Sequence, residues 1–387
     1  MPPSAPTEAA PAARAELVAR VGPAAFVIDH ADRLTLRLDA EGRWAALRYE
    51  GGRYRRTLDG RVVQSEGHGW RTCGEQEAAA VHRAAAETAR ELAELWRTLP
   101  AERRHMIGDA GLLAQRLKDA ADWTVERHLE QRRRFHATYP TSVSIVPPHR
   151  YRDLVVQPAM GCPHNRCTFC ELYADRPFEV LSPAAFADHL RAVVDLLGAA
   201  AAERDGVFFD SGTALTLPVD TLLRRLSVCD DIIGRRPRGA AAFYDPDRGK
   251  LRTVAQWRRL VDAGLADATL GLETGHQALR KSVDKSTDLD RFVDVARSMK
   301  AAGFHLAITV LVGLGGESGA DLHCRDTVAR IAEMGLTGAD LVYLSRLEGA
   351  MAEDALTAQS RQLRHDLSQV SEARVGSYRI ERFDHFA

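Results

Sequence analysis

Leu306-Ala307-Ile308-Thr309-Val310-Leu311-Val312 runs straight into Gly313-Leu314-Gly315-Gly316-Glu317. A near-continuous run of apolar and β-branched residues is what a strand covered on both faces looks like. The glycines break it, and helical composition follows over 321–334. The next apolar run is Asp340-Leu341-Val342-Tyr343-Leu344. Two strands joined by a helix of that length predict a parallel pair with a crossover. The same unit recurs upstream. Strands are expected at Leu154–Gln157, Gly206–Phe209, Ala240–Tyr244 and Ala268–Leu272, with helices near 183–199, 218–234, 253–264 and 287–302 and a last one near 352–371. Six such units predict an α/β protein with a parallel sheet. The pattern alone leaves a doubly wound sheet and a partial barrel both open.

The polar residues at the strand ends form a series. Asp210 closes the second strand, Asp245 the third and Glu273 the fourth, while the fifth ends in the glycine-rich turn and the sixth in Ser345-Arg346. Any single Asp there reads as a turn former or helix cap. A succession of them points to one shared site, since the carboxyl ends of parallel strands carry the chemistry in such folds.

Upstream of Pro147-Pro148 the character is different. Residues 1–20, with four prolines, read as a flexible tail without the basic and apolar regions of a secretory signal. Ala25–Ile28, Leu34–Leu38 and Trp44–Tyr49 are short β-type runs separated by turn signals at Asp32, Glu41-Gly42, Gly51-Gly52 and Asp59-Gly60. They predict an antiparallel meander of about four strands. Helical stretches follow over 75–98 and 110–138. The expected organisation is a tail over 1–20, a small α+β domain over 21–145, a core over 150–347, and a C-terminal helix and tail over 348–387.

Composition narrows the function. The 387 residues carry 52 Lys+Arg against 53 Asp+Glu, a net charge of −1, which makes no electrostatic case for nucleic acid as main partner. The basic stretch Arg132-Arg133-Arg134 is interleaved with Glu126 and Glu130 and reads as a solvated helix face. No apolar run is long enough for a spanning helix, so no membrane partner and a cytoplasmic location are expected. Six cysteines are too few for a disulfide scaffold.

Three of those cysteines fall in Gly161-Cys162-Pro163-His164-Asn165-Arg166-Cys167-Thr168-Phe169-Cys170, a C-x4-C-x2-C loop. Thiolates this close repel unless protonated or bound to a cation, and thiolates are the usual ligands of iron–sulfur clusters. A structural zinc site wants four closed ligands. Cys229 shares a helical stripe with Leu222, Leu226 and Ile233, and Cys324 one with Val328 and Ile331, so both read as core. Cys73 reads as a free thiol. A 2Fe-2S carrier and a 4Fe-4S cluster with one open iron both fit the spacing.

At these residues the chain resembles the radical S-adenosylmethionine superfamily, in a subgroup with one residue more than the usual C-x3-C-x2-C. The resemblance continues through Val207–Leu217, Gly271-Leu272-Glu273-Thr274-Gly275 and Ile308–Glu317 and covers nothing before residue 140. It implies a partial (β/α)6 TIM-type barrel preceded by the small α+β domain. It implies further that Cys162, Cys167 and Cys170 bind a 4Fe-4S cluster whose open iron is chelated by S-adenosylmethionine. Phe169 would lie near the adenine, with Val310 to Gly313 along it. Asp210-Ser211-Gly212-Thr213 stands where the family has Gly-Gly-Glu and would receive the methionyl ammonium; Glu273 would face the ribose or methionine.

The implied enzyme cleaves S-adenosylmethionine reductively and uses the resulting 5′-deoxyadenosyl radical to abstract hydrogen. The substrate is expected to be a small molecule, natural-product-like or sugar- or nucleoside-like. Rearrangement, elimination, epimerisation or carbon–carbon bond formation would follow. A low-potential donor such as a flavodoxin or ferredoxin would supply the electron. The alternatives are a 2Fe-2S electron-transfer or redox-sensing protein and a radical enzyme acting on peptide or RNA.

Overall fold

The computed structural model describes residues 17–22, 26–30, 34–67, 69–141, 143, 145–174 and 176–379. It divides into two compact units. Of the described residues, the first comprises those up to 140 with 194–203; the second comprises those over 141–193 and 204–379.

The first unit is built on an eight-stranded sheet in the order β7-β6-β5-β4-β3-β2-β1-β8. Its strands are β1 Leu17–Val21, β2 Phe26–His30, β3 Leu34–Leu38, β4 Trp44–Tyr49, β5 Gly52–Arg56, β6 Val62–Glu66, β7 Gly69–Thr72 and β8 Arg104–Gly108. β1 to β7 form one antiparallel meander, and β8 joins β1 in parallel. The expected four strands are therefore a correction: Gly52-Arg53-Tyr54-Arg55-Arg56 and Gly69-Trp70-Arg71-Thr72 are strands without an apolar run. The expected tail is also shorter. Residues 1–16 lie outside the described residues, as do Ala25 and Asp32, but Leu17–Arg20 belong to β1 because Leu17, Ala19 and Val21 alternate into the core. Helices α1 Glu75–Thr98, α2 Ala110–Ala121 and α3 Val125–Thr138 complete this part. α2 is capped by Asp109 and α3 by Thr124. Leu36, Leu47, Val62, Ala89, Leu92 and Leu113 meet in its core.

The second unit holds a seven-stranded sheet. Here β9 is Leu154–Val156, and β10 Ala159–Met160 pairs with β11 Glu179–Val180 as a separate short ribbon. The sheet continues with β12 Val207–Phe209, β13 Ala240–Tyr244, β14 Leu265–Glu273, β15 His305–Val312, β16 Leu341–Arg346 and β17 Arg374–Ser377. Its order is β17-β16-β15-β14-β13-β12-β9, every pair parallel. The order never reverses, so the switch point of a doubly wound sheet is absent from these strands. The crossovers carry α4 Pro183–Leu197, α5 Val219–Ile233, α6 Val254–Asp262, α7 Gln277–Ser282, α8 Leu289–Ala302, α9 Gly316–Ala332 and α10 Glu353–Val370. Where the sequence predicts only a C-terminal helix and tail beyond 348, Arg374–Ser377 adds a seventh strand beside β16.

Candidate functional site

The cysteine loop is closed at its base by the β10–β11 ribbon. Gly161 enters it at φ +76°, where a Cβ would stand 2.6 Å from the Pro177 carbonyl oxygen, so only glycine lets the two sides of the loop approach. Asn165 holds a left-handed turn at φ 47° and donates from Nδ2 to the Tyr173 carbonyl at 2.6 Å. Beneath the loop, Gly212 N–H donates to the Gly161 carbonyl at 3.0 Å. A Cβ on Gly212 would lie 2.4 Å from that of Cys162, so the segment after β12 supports the first cysteine directly.

Cys162, Cys167 and Cys170 line one cavity of about 240 Å³ at the carboxyl end of the parallel strands. Burial pushes the Cys167 thiol up to about 12, with Asp245, Glu273 and Cys170 adding to the effect. Burial also raises Cys170, and Cys162 raises it further. A bare loop therefore keeps these two thiols protonated at neutral pH, and only a bound cation would ionise the set. Among the described residues, no three His, Cys, Asp or Glu side chains converge on a point suited to a single metal ion. Three thiols around one cavity are a donor set of the kind that holds iron–sulfur clusters.

Opposite the thiols sits a buried charge cluster. Lys285 Nζ donates to the Gly271 carbonyl at 2.9 Å and lies 3.8 Å from Glu273 Oε1 and 4.0 Å from Asp245 Oδ2. Burial works against the ammonium, but Asp245 and Glu273 outweigh it and hold Lys285 above its ordinary range. Burial pushes Glu273 up, against the pull of Lys285. One ammonium between two carboxylates leaves excess negative charge beside the cavity. Thr309 Oγ1 donates to its carboxylate at 3.4 Å. Glu273 itself has φ 63°, a costly conformation for a glutamate. Buried Arg280 steadies the surrounding loop: Nε donates to the Ser286 carbonyl at 2.6 Å, Nη2 to Asp247 Oδ2 at 2.5 Å, and Nη1 to the Leu272 carbonyl.

The expected site residues divide. Phe169, Gly212, Glu273 and the three cysteines line the cavity. Asp210, Ser211 and Thr213 do not; they are buried behind it. Asp210 accepts from Gln157 Nε2 at 2.9 Å, and Thr213 Oγ1 accepts from the Asp245 N–H at 2.8 Å. The segment after β12 thus meets the cavity through Gly212 and supports it with the side chains either side. Val310 and Gly313 are likewise off the wall, because alternation along β15 turns Thr309 and Leu311 to the cavity and Val310 away. Gly313 N–H donates instead to Gln359 Oε1 at 2.6 Å. The sequence reading missed Lys285, Thr309 and Tyr378. Thr309 carried a signal, a hydroxyl inside an apolar run.

Comparison with known proteins gives a family match over part of the chain. The Radical SAM superfamily model matches residues 156–324. No curated protein matches the sequence. Among solved structures, the chain is similar to the radical S-adenosylmethionine methyltransferase TsrM from Kitasatospora setae, with 13% identity over 51% of this chain and 35% of that one and a TM-score of 0.38. Coproporphyrinogen III oxidase (HemN) from Escherichia coli is 16% identical over 64% and 55%, with a TM-score of 0.39. Streptococcus suis SuiB is 15% identical over 85% and 71%, with a TM-score of 0.41. The chain thus spans about a third of TsrM and just over half of HemN.

Proposed function

We propose that this chain, whose residues 156–324 match the Radical SAM superfamily model, is an enzyme of that class with a 4Fe-4S cluster and S-adenosylmethionine as cofactors, that Cys162, Cys167 and Cys170 hold the cluster, and that the facing charge cluster holds S-adenosylmethionine. When bound, the pair supplies hydrogen-atom abstraction from unactivated carbon through one-electron reductive cleavage of the sulfonium. One observation carries the assignment: three thiols, two carboxylates and one ammonium line the same small cavity.

The side chains divide the work by charge. Lys285 takes the methionyl carboxylate, since its ammonium is the cation held between Asp245 and Glu273. Glu273 and Asp245 take the methionyl ammonium and the ribose diol, which both suit carboxylate acceptors. Phe169 packs with Leu311, Leu314 and Leu279 and offers a flat apolar face to the adenine. The low-dielectric walls strengthen each of these contacts and exclude water from a reactive carbon centre.

The parallel strands in unreversed order support a partial (β/α)6 barrel, extended here by a seventh strand. Ile145, Phe243 and Tyr378 give the cavity an apolar side, which suits contact with a small organic substrate. Rearrangement, elimination, epimerisation or carbon–carbon bond formation on such a substrate is the reading we favour, with a flavodoxin or ferredoxin as reductant. The family sets aside the 2Fe-2S carrier. RNA modification gains no support from the basic stretch, where Arg133 pairs with Glu130 at 2.6 Å and Arg134 with Asp195 at 2.6 Å. No described helix is long and apolar enough to cross a membrane.

The test is anaerobic reconstitution followed by dithionite reduction. A 4Fe-4S paramagnetic signal that changes on adding S-adenosylmethionine, with release of 5′-deoxyadenosine, is expected. A 2Fe-2S signal indifferent to S-adenosylmethionine would overturn the assignment.

A further inference from the structure

We propose that the second unit carries an anion site at the amino end of its parallel strands, remote from the cysteines, which takes a phosphate-bearing small molecule. A cavity of about 700 Å³ opens there, within the size range of small-ligand sites. Arg150, Arg235, Arg236, Arg238 and Arg374 line it, against Asp262 and Asp267. A chain with a net charge of −1 has thus gathered five guanidinium groups around one concavity.

The arginines are not equivalent. Arg150 is spent inside the fold: it pairs with Asp153 and donates to the carbonyls of Arg238 and Gly239, each at 3.1 Å. Those bonds fix the backbone of the 235–239 link between α5 and β13. Arg235 donates to the Asp262 carbonyl at 3.0 Å. Asp267 is also engaged, with His149 Nε2 at 3.1 Å and Arg150 Nη1 at 3.8 Å. Arg236, Arg238 and Arg374 remain, and their side chains form no hydrogen bond or ion pair with any other described residue. Arg236 Nε is in addition buried from water without an acceptor. A buried donor left unmade costs about 1–3 kcal/mol, and an acceptor arriving in the cavity would remove that cost.

Guanidinium forks match carboxylate and phosphate oxygens alike, but three unpaired forks exceed what the two oxygens and single charge of one carboxylate can satisfy, so this set suits the several oxygens of a phosphate group better. The three come from two elements, the 235–239 link and the start of β17. His305, at the first residue of β15, adds a further donor to the wall. An open concavity of this size fits a diphosphate or a nucleotide, with inorganic and nucleoside diphosphate sharing the same recognition.

Calorimetric titration of the reconstituted full-length protein tests the site, with inorganic pyrophosphate in one arm and ADP in the other, at low salt. Wild-type protein should bind pyrophosphate, and the double variant Arg236→Gln/Arg238→Gln should bind at least tenfold more weakly. Arg374→Gln, on a separate element, should weaken binding in the same direction if the double variant does not fold. Tighter binding of ADP than pyrophosphate would assign a nucleotide; equal binding would assign the diphosphate alone. Arg361→Gln, outside the lining and equal in charge change to Arg374→Gln, should leave the affinity unchanged. The proposal fails if neither compound binds at millimolar concentration. It fails equally if Arg361→Gln matches the effect of the lining variants.

Discussion

The two units each bury ionisable side chains, and they do it by opposite means. In the first, His82 and His128 stack at 3.9 Å between ring centroids, and Trp44 Nε1 donates to His82 Nδ1 at 2.9 Å. Burial pushes His82 down to about 3, and burial together with His82 pushes His128 lower still, so both are neutral. The stack behaves as part of a core. In the second unit, Lys285 keeps its charge between Asp245 and Glu273 at the edge of a cavity. A buried ion cluster of unequal charge stabilises a fold poorly on its own, because desolvation offsets the attraction. A cluster retained at that cost beside three thiols is where the proposed function places S-adenosylmethionine, whose charges would complete the balance.

The largest expected effect tests whether the thiols share this distinction. Cys162→Ala, Cys167→Ala and Cys170→Ala should each lose the cluster entirely, measured as iron per protein after reconstitution. Cys229→Ala and Cys324→Ala, buried on α5 and α9, should keep full iron. Iron loss in Cys229→Ala with unchanged circular dichroism would move the ligand set and break the comparison.

Next comes Lys285→Met, which keeps length and removes charge. A charge-assisted hydrogen bond contributes about 1.5–3 kcal/mol, so affinity for S-adenosylmethionine should fall roughly ten- to a hundredfold with iron retained. His128→Gln should leave that affinity alone. If both variants weaken binding equally, the charged and neutral clusters are not functionally distinct.

The neutral stack has its own signature in pH. Both histidines are held below an unfolded value of about 6.5, so the unfolded chain binds the extra protons. Stability of the first unit is then present above pH 6.5 and falls as pH drops towards about 3, the folded value of His82. The slope for two sites approaches about 2.7 kcal/mol per pH unit, at about 1.4 for each proton. Denaturant unfolding followed by Trp fluorescence between pH 7 and 4.5 measures it, and His128→Gln should roughly halve the slope. A flat profile in the wild type would mean that the stack opens to water.

The smallest expected effect concerns Asp210→Asn. Its carboxylate faces Gln157 and not the cavity, so affinity for S-adenosylmethionine should change less than about threefold. A tenfold loss by calorimetry would place Asp210 among the ligand-binding groups.

Much of the second unit was legible because strands covered on both faces read as unbroken apolar runs. β17 was not, since Arg-Val-Gly-Ser at a sheet edge has no such run. The strands β5 and β7 were hidden because neither has an apolar run: β5 carries three arginines and β7 is Gly-Trp-Arg-Thr, both partly exposed. Cysteine spacing revealed one wall of the cavity, because ligand loops are local in sequence. The opposite wall was only partly visible. Glu273 ends a strand and could be read, whereas Lys285 arrives through the loop after α7, and only the tertiary path brings it near the carboxylates. Asp210 misled because a strand-end carboxylate looks the same whether it faces the mouth or the layer behind.

One connection has a consequence for how the protein is made. Residues 194–203 belong to the first unit although they follow fifty residues of the second. Buried Arg43 donates to the carbonyls of Leu196 and Leu197 at 3.1 and 2.8 Å, and Gln131 Nε2 donates to Leu196 at 2.8 Å. A nascent chain that has emerged only as far as Pro140 has no acceptors for these groups, each worth about 1–3 kcal/mol when buried unmade. The amino-terminal unit therefore cannot finish folding as it leaves the ribosome; it waits for a later stretch of translation. Expressed alone as residues 1–140, it should be a poor autonomous domain, and a fragment must run past Leu197 to supply the acceptors named here.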